Sequence, residues 1–242
     1  MRRLANFGAA LSLLSLGSAG CGDNTDPGDA ITFAKFDMLA DFEGSLSLNV
    51  SDRWNGAFIP SADKSDMAVQ IVEQKELPPA LINPSLPESK AALHATDDGK
   101  HTMWGTAWLA VFQSNKSAVD FSEYTGITLW ARSDGLPVPT IKVAIADWGS
   151  YSDTIDPNTK KAYCDMNDST VGGRGCYDDY SLKIYPDGAW RRYDIPFSQL
   201  TTGGYGLLHA FDPSRLYALK FAMLPALPYS VWIDDIGLYR KQ

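Results

Sequence analysis

Aromatic residues set at the ends of strand-like runs are the main chemical resource of this chain. In "ADWGSYSD", residues 146–153, Trp148 and Tyr151 follow an alternating apolar run and stand beside Asp147 and Asp153. Sugars are held by aromatic faces laid against their C–H groups. Carboxylates, amides and cations take the hydroxyls, in sites that stay partly open to water. Trp130, Arg132 and Lys142 offer the same residue types on neighbouring runs, and Tyr177 and Tyr180 follow a cysteine-flanked loop. Trp104, Trp108, Trp190 and Trp232 read as packing residues, because most tryptophans in a chain with seven fill cores or cover edges.

Residues for catalysis are sparse. The three histidines, His94, His101 and His209, form neither H-x-H nor HExxH, and no G-x-S-x-G is present. Gly172, Gly173 and Gly175 follow no strand and open no helix, so they make no phosphate cradle. Paired carboxylates of the glycosidase kind stay open, since any two of 29 acids can meet in space. In "CDMNDSTVGG" Asp165, Asn167 and Ser169 alternate as at the start of an EF-hand. Thr170 then stands where that loop demands glycine, and Cys176 where it demands glutamate. That excludes an EF-hand and leaves a looser calcium loop as an alternative. The closing run "VWIDDIGLY" poses a separate question. Successive side chains of a strand point to opposite faces, so Asp234 and Asp235 are expected on different faces, one of them inward and in need of compensation.

The elements that must position these residues are short strands. "AVQIVE", "ALHAT", "WGTAWLAVFQ", "GITLWARS", "TIKVAIADW", "SLKIY", "WRRYDIPF", "LYALKFAML" and "SVWIDDIGLY" are separated by turn chemistry such as "DDGK", "PDGA" and "TTGGYG". No stretch carries a sustained helical stripe and no internal repeat is visible. The fold class is therefore all-β, an antiparallel β-sandwich with Greek-key or jelly-roll wiring. Alternation assigns faces: Ile127, Leu129 and Ala131 against Thr128, Trp130 and Arg132; Ile141, Val143 and Ile145 against Lys142, Ala144 and Ala146; Leu219, Phe221 and Met223 against Lys220 and Ala222. If these three strands are neighbours in one sheet, their second face is a shallow polar trough.

The chain starts with two arginines, an apolar stretch from Leu4 to Leu16 and small residues up to Cys21, the pattern of a secretory signal over residues 1–20. "SAGC" resembles the lipobox of bacterial lipoproteins, with Ser18 where leucine is usual, and this implies lipidation at Cys21. The implied localisation is an exported lipoprotein anchored in the bacterial cell envelope, periplasmic or at the cell surface. Residues 21–40 read as a flexible tether, and 41–242 as one domain. With Cys21 lipidated, Cys164 and Cys176 remain as an even set in an oxidising setting and are expected to form a disulfide. Cleavage of the signal removes two arginines and no acid, moving the net charge from −8 to −10. A chain this acidic is not expected to bind nucleic acid by counterion release.

"DFEG" at 41–44, "FSEYTGITLWARS" at 121–133, "IKVAIAD" at 141–147, "WRRYDIPFSQL" at 190–200, "DPSRLYALKF" at 212–221 and "WIDDIGLY" at 232–239 occur in an order that resembles carbohydrate-binding modules of the galactose-binding-like jelly-roll kind. More narrowly, "CDMNDSTVGGRGCYDD" resembles the loop of bacterial lipoproteins carrying such a domain. The resemblance implies non-catalytic binding of a polysaccharide or glycan, for which the residue chemistry above supplies Trp148, Tyr151, Asp147, Trp130, Arg132, Lys142 and Tyr180 as ligand-binding candidates. It also implies a structural calcium where the first and last strands meet, held by Asp41 or Glu43 and by Asp234 or Asp235. The alternatives are a structural or adhesion module with a protein partner in the envelope, or a jelly-roll glycosidase or lyase. Against the last, the E-x-D-x-x-E pattern of jelly-roll glucanases is absent. A monomer is the default.

Overall fold

The period-two alternation sorts side chains as expected. Ile127, Leu129, Ala131, Ile141, Val143, Ile145, Leu219, Phe221 and Met223 all lie buried in one core between two sheets. The computed structural model describes residues 33–44, 56–65, 67–113, 115, 117–135, 139–156, 158–168 and 172–241. Its strands are β1 (Phe33–Ala40), β2 (Ala57–Ala62), β3 (Gln70–Glu76), β4 (Ala91–Asp97), β5 (Thr106–Val111), β6 (Gly126–Ser133), β7 (Ile141–Asp147), β8 (Tyr180–Ile184), β9 (Arg191–Pro196), β10 (Leu216–Met223) and β11 (Tyr229–Lys241).

One sheet runs β3-β4-β11-β6-β9 with β1 also paired to β11, and the other runs β2-β5-β10-β7-β8. Every strand pairing is antiparallel. Neighbours in each sheet are mostly distant in sequence, which is the wiring of a jelly roll. Trp108, Phe221 and Leu219 stand on paired strands of the five-stranded sheet and Leu129, Ile233 and Leu93 on the other, and these large side chains are wholly buried. Truncating one such as Trp108 to alanine is expected to cost about 3–5 kcal/mol.

Three expectations are corrected by this topology. First, Phe33–Ala40, read as tether, is strand β1, pairing Phe36 with Tyr239 and Ala40 with Ile236. Apolar side chains decide it: Phe33 stacks on Tyr239 at 5.1 Å, and Leu39 and Ala40 enter the core. Second, β6 belongs to the six-stranded sheet while β7 and β10 are neighbours in the other, so Trp130 and Arg132 do not share a face with Lys142. Third, strict alternation fails in β11. Its register against β6 shifts between Asp234 and Gly237, and Asp235 takes φ +45. This bulge inserts one extra residue, so Ile233 and Ile236 both face the core and neither aspartate does.

Candidate functional site

The outer face of the five-stranded sheet is floored by small residues. Ala144 and Ala146 on β7 and Ala218 and Ala222 on β10 alternate with the core residues, and Ala107 continues the row onto β5. Small side chains let longer ones lie flat above them. Lys142 and Lys220 do so here, partly buried, from β7 and β10. Burial lowers the Lys142 pKa from the usual lysine value, since desolvation disfavours the ammonium form. At the end near Asp147, Tyr217 rises from a register irregularity in β10 and stacks on Tyr151, with ring centroids 5.0 Å apart and planes 13° from parallel.

A long connection from β7 to β8 walls this face. It is pinned by the Cys164–Cys176 disulfide, with S–S 2.06 Å, as the cysteine count predicts. Directly after the bridge, Tyr177 is held at φ +68, a conformation that bulky residues seldom adopt. Its N–H donates to Ser150 O at 2.9 Å, its carbonyl accepts from the Tyr205 hydroxyl at 2.8 Å, and its hydroxyl donates to Met166 Sδ at 3.4 Å. The ring, still 44% exposed, faces the Lys220 ammonium 5.4 Å from its centroid. Asp178 and Asp179 follow. Asp178 is buried and accepts the N–H groups of Gly203, Gly204 and Gly206 at 2.6, 2.9 and 2.8 Å, fastening the loop that carries Tyr205. A side chain at Gly206 would meet Asp178 Cβ at 2.4 Å, so only glycine permits that approach. Asp179 pairs with Lys220 at 3.0 Å.

Of the residues nominated from sequence, Lys142 lies on this face and Tyr151 supports it from beneath Tyr217. The others go elsewhere. Trp148 is clamped edge-on to Tyr163 at 4.6 Å, beside His209, with the Arg215 guanidinium 4.5 Å over its ring; it packs the loop and is not an open platform. Asp147 is wholly buried, with both carboxylate oxygens within 2.9 Å of His209 Nε2. Because His209 Nδ1 also meets the Leu207 carbonyl at 2.6 Å, both ring nitrogens face acceptors, and the Asp147 hydrogen bond raises the imidazole pKa. Tyr180 points the other way, against Phe211 and the core, and donates its hydroxyl to His209 O.

Trp130 lies on the opposite sheet, packed with Trp190, Trp232 and Ala92 beneath Leu81 and Ile82 of the β3–β4 connection. Arg132 pairs there with Asp134 at 3.0 Å. Trp104, expected to pack, is instead half-exposed, because its loop is held by its backbone: Asp63 accepts the N–H groups of Met103, Trp104 and Gly105.

The acidic residues nominated for calcium do approach one another. Asp234 is 0% exposed; the Ser89 hydroxyl donates to its Oδ2 at 2.6 Å and the Asp235 N–H to its Oδ1 at 2.9 Å. Burial, reinforced by the Asp235 and Glu43 charges, pushes its pKa up to about 8. Burial, with the Asp41 and Glu43 charges, pushes Asp235 up to about 6. Glu43 Oε1 accepts from the Lys90 and Ala91 N–H groups. Among the described residues no lysine or arginine pairs with any of the four. Their ligand atoms are not drawn within 4.8 Å of one another, as those of Asp97, Asp98 and His101 are. The latter three are engaged in a turn, with Asp97 bonded to His101 at 2.6 Å and to the Gly99 N–H at 2.7 Å. Asp165 and Asn167 of the looser calcium loop are also turn-bonded, while Ser169 and Cys21 lie outside the described residues.

With this geometry established, comparison with known proteins supplies the fold. The sequence matches no protein-family model and no curated protein. Solved structures do match. A family 11 carbohydrate-binding module of a cellulosomal cellulase of Clostridium thermocellum aligns with 16% identity and TM-score 0.52, over 85% of this chain and 95% of that one. A family 11 module from the same organism, in complex with a β-1,3-1,4-mixed-linked tetrasaccharide, aligns with 15% identity and TM-score 0.51 over 85% and 96%. A family 30 carbohydrate-binding module aligns with 13% identity and TM-score 0.50 over 86% and 89%. The chain is an antiparallel β-sandwich of the jelly-roll kind seen in these modules.

Sequence reading missed Tyr217, Asp179, Lys183 and the exposed role of Tyr177 as members of one face. Alternation did place Lys220 with Lys142; which sheet each strand joins is the signal that a single strand does not carry.

Proposed function

We propose that this protein is a non-catalytic, surface-anchored lipoprotein that binds a polysaccharide or glycan along the outer face of its five-stranded sheet. The observation that carries the reading is Tyr177, an exposed aromatic held in a strained backbone conformation by a disulfide and two backbone hydrogen bonds, beside a lysine–aspartate pair. Strain of this kind costs about 1–3 kcal/mol and persists where surrounding structure over-determines it, as at ligand clamps. An aromatic face flanked by charged groups able to take hydroxyls is the chemistry of sugar recognition. The carboxylates nearby are engaged in holding structure: Asp178 with three amides, Asp179 with Lys220, Asp147 with His209. The mixed-linked tetrasaccharide bound by the similar family 11 module supports the same class of ligand. Lipidation at Cys21, with anchoring in the cell envelope, belongs to the proposal on the strength of the N-terminal sequence.

Calcium at the junction of β1 and β11 belongs to it as well. Calcium takes six to eight oxygens, largely carboxylate and carbonyl. Asp41, Glu43, Asp234 and Asp235 offer a donor set that no lysine or arginine compensates among the described residues, and two of its side chains, Asp41 and Glu43, are exposed at its rim. The cation would neutralise charge at the bulge and tie the first strand to the last.

A glycan array on the purified protein, with calcium and with chelator, tests the reading alongside Tyr177→Ala and Tyr217→Ala. Loss of a base-stacking-sized contact should weaken binding about tenfold or more in either variant. Silence across plant, algal and bacterial glycans, or binding indifferent to both substitutions, would refute it.

One observation favours the adhesion alternative. Met67, Met103, Trp104, Leu224 and Leu227 are all exposed at the end of the sandwich where loops 99–105 and 224–228 pack together, Ala226 N–H bonding His101 O at 2.7 Å. That is an apolar tip of the sort that marks protein contacts. On this reading Trp104→Asp would abolish binding of the unlipidated protein to delipidated envelope proteins and leave glycan retention intact.

A further inference from the structure

The outer face of the five-stranded sheet places three lysines in a row. Lys142 on β7 stands directly opposite Lys183 on β8 in the antiparallel register. Lys220 on β10 pairs with Ala144, two residues from Lys142 on the same face, and is therefore its diagonal neighbour. Side chains directly opposite on one sheet face have Cβ atoms about 5 Å apart, and diagonal ones about 7–8 Å, so like charges in this arrangement destabilise the sheet.

The acids nearby attract Lys142 but form no ion pair with it among the described residues. Asp179 is committed to Lys220 at 3.0 Å, and Asp178 to the amides of Gly203, Gly204 and Gly206. Neither Lys142 nor Lys183 makes an ion pair among the described residues. An exposed surface lysine needs no partner. Lys142 is half-buried: burial disfavours its ammonium form first, the Asp179 and Asp178 charges favour it, and the Lys220 and Lys183 charges oppose it. An anion placed between Lys142 and Lys183 would give both ammonium groups the direct partner that neither has among the described residues.

Resting on the reading that this face binds a glycan, we propose that the glycan is anionic. A carboxylate or sulfate group of the polymer lies between Lys142 and Lys183, and an adjoining sugar ring lies against Tyr177 beside Lys220. The specificity is local. A chain of net charge −8 repels a polyanion at long range, so general ion exchange cannot imitate this binding.

The test is affinity electrophoresis of the purified protein through gels containing polygalacturonate, a sulfated galactan, or neutral β-1,3-1,4-mixed-linked glucan, with circular dichroism confirming the fold of each variant. One acidic polymer should retard the protein at least about tenfold more than the neutral one, and high salt should diminish the effect. Polygalacturonate alone would mark a carboxylate ligand, the galactan alone a sulfate. Lys142→Gln and Lys183→Gln should each weaken retardation about tenfold. Lys75→Gln, on the opposite sheet and paired with Glu73, should not change it. Equal retardation by the neutral glucan, unaltered in Lys142→Gln, would overturn the anionic assignment while leaving glycan binding in place. No retardation by any of the three, with the protein folded, would overturn both.

Discussion

Removal of the Asp178 carboxylate is the sharpest test of how the wall beside Tyr177 is held. In Asp178→Ala three backbone N–H groups lose a charged acceptor. Gly203 and Gly204 are exposed, and their amides can turn to water, at a net cost of about 1 kcal/mol each. Gly206 is buried, and its amide left without an acceptor costs about 1–3 kcal/mol. The sum is about 3–5 kcal/mol, read as a shift in the midpoint of a urea transition with unchanged slope. Amide exchange by NMR locates the effect: Gly203, Gly204 and Gly206 should lose protection together, while core strands such as β6 and β10 keep theirs relative to the new global stability. Tyr205 would lose its anchorage and with it the hydroxyl bonded to Tyr177 O. Glycan retention should fall even where the protein remains folded. A cost below about 0.5 kcal/mol with unchanged exchange at the three glycines would refute the claim that Asp178 fastens this loop.

Replacing Cys164 and Cys176 by serine opens a loop of sequence separation 12 and should lower stability by about 3 kcal/mol from chain entropy, measured by thermal unfolding against the wild type without reductant. His209, its folded pKa raised by Asp147, contributes stability that is fully present below the unfolded value of about 6.5 and is lost as pH rises through the higher folded value. Urea midpoints of the wild type should fall across that window while those of His209→Gln stay level; parallel profiles would count against the imidazolium. Calcium in hundredfold excess over its dissociation constant should raise stability by about 2.7 kcal/mol, and Asp235→Asn should reduce that gain. Calorimetry that shows no heat and no shift in melting temperature on adding calcium would remove the cation from the proposal.

Local sequence carried a good deal of this structure, and the reasons are visible residue by residue. Nine strand-like runs correspond to β3 through β11, because β-branched and aromatic residues in period two have no other economical burial. Two strands, β1 and β2, are not legible in the local sequence. β2 carries Pro60 in its middle, which a strand tolerates at a sheet edge, and β2 is an edge strand paired only with β5. β1 mixes Lys35 and Asp37 among its apolar residues, and its strand state depends on pairing with β11 at the far end of the chain. The site divides the same way. Lys142 was legible as an outward cation, whereas Trp148 has the right residue type and position yet is covered by Arg215, Tyr163 and His209, residues that sequence places 15 to 67 positions away.

By itself the sequence determined the strand class and the inward residues of β6, β7 and β10, because side-chain alternation follows from the pleat, and it pointed to the Cys164–Cys176 bridge once Cys21 was set aside. The tertiary structure alone decided which strands share a sheet, and so which outward residues are neighbours. It also decided that a bulge at Asp234 and Asp235 keeps both carboxylates out of the core and within range of the Glu43 charge, and that Tyr177 stands open over Lys220 while Trp148 is closed. These outcomes depend on register and burial between segments far apart in the chain, and those are settled only when all the segments compete for one core.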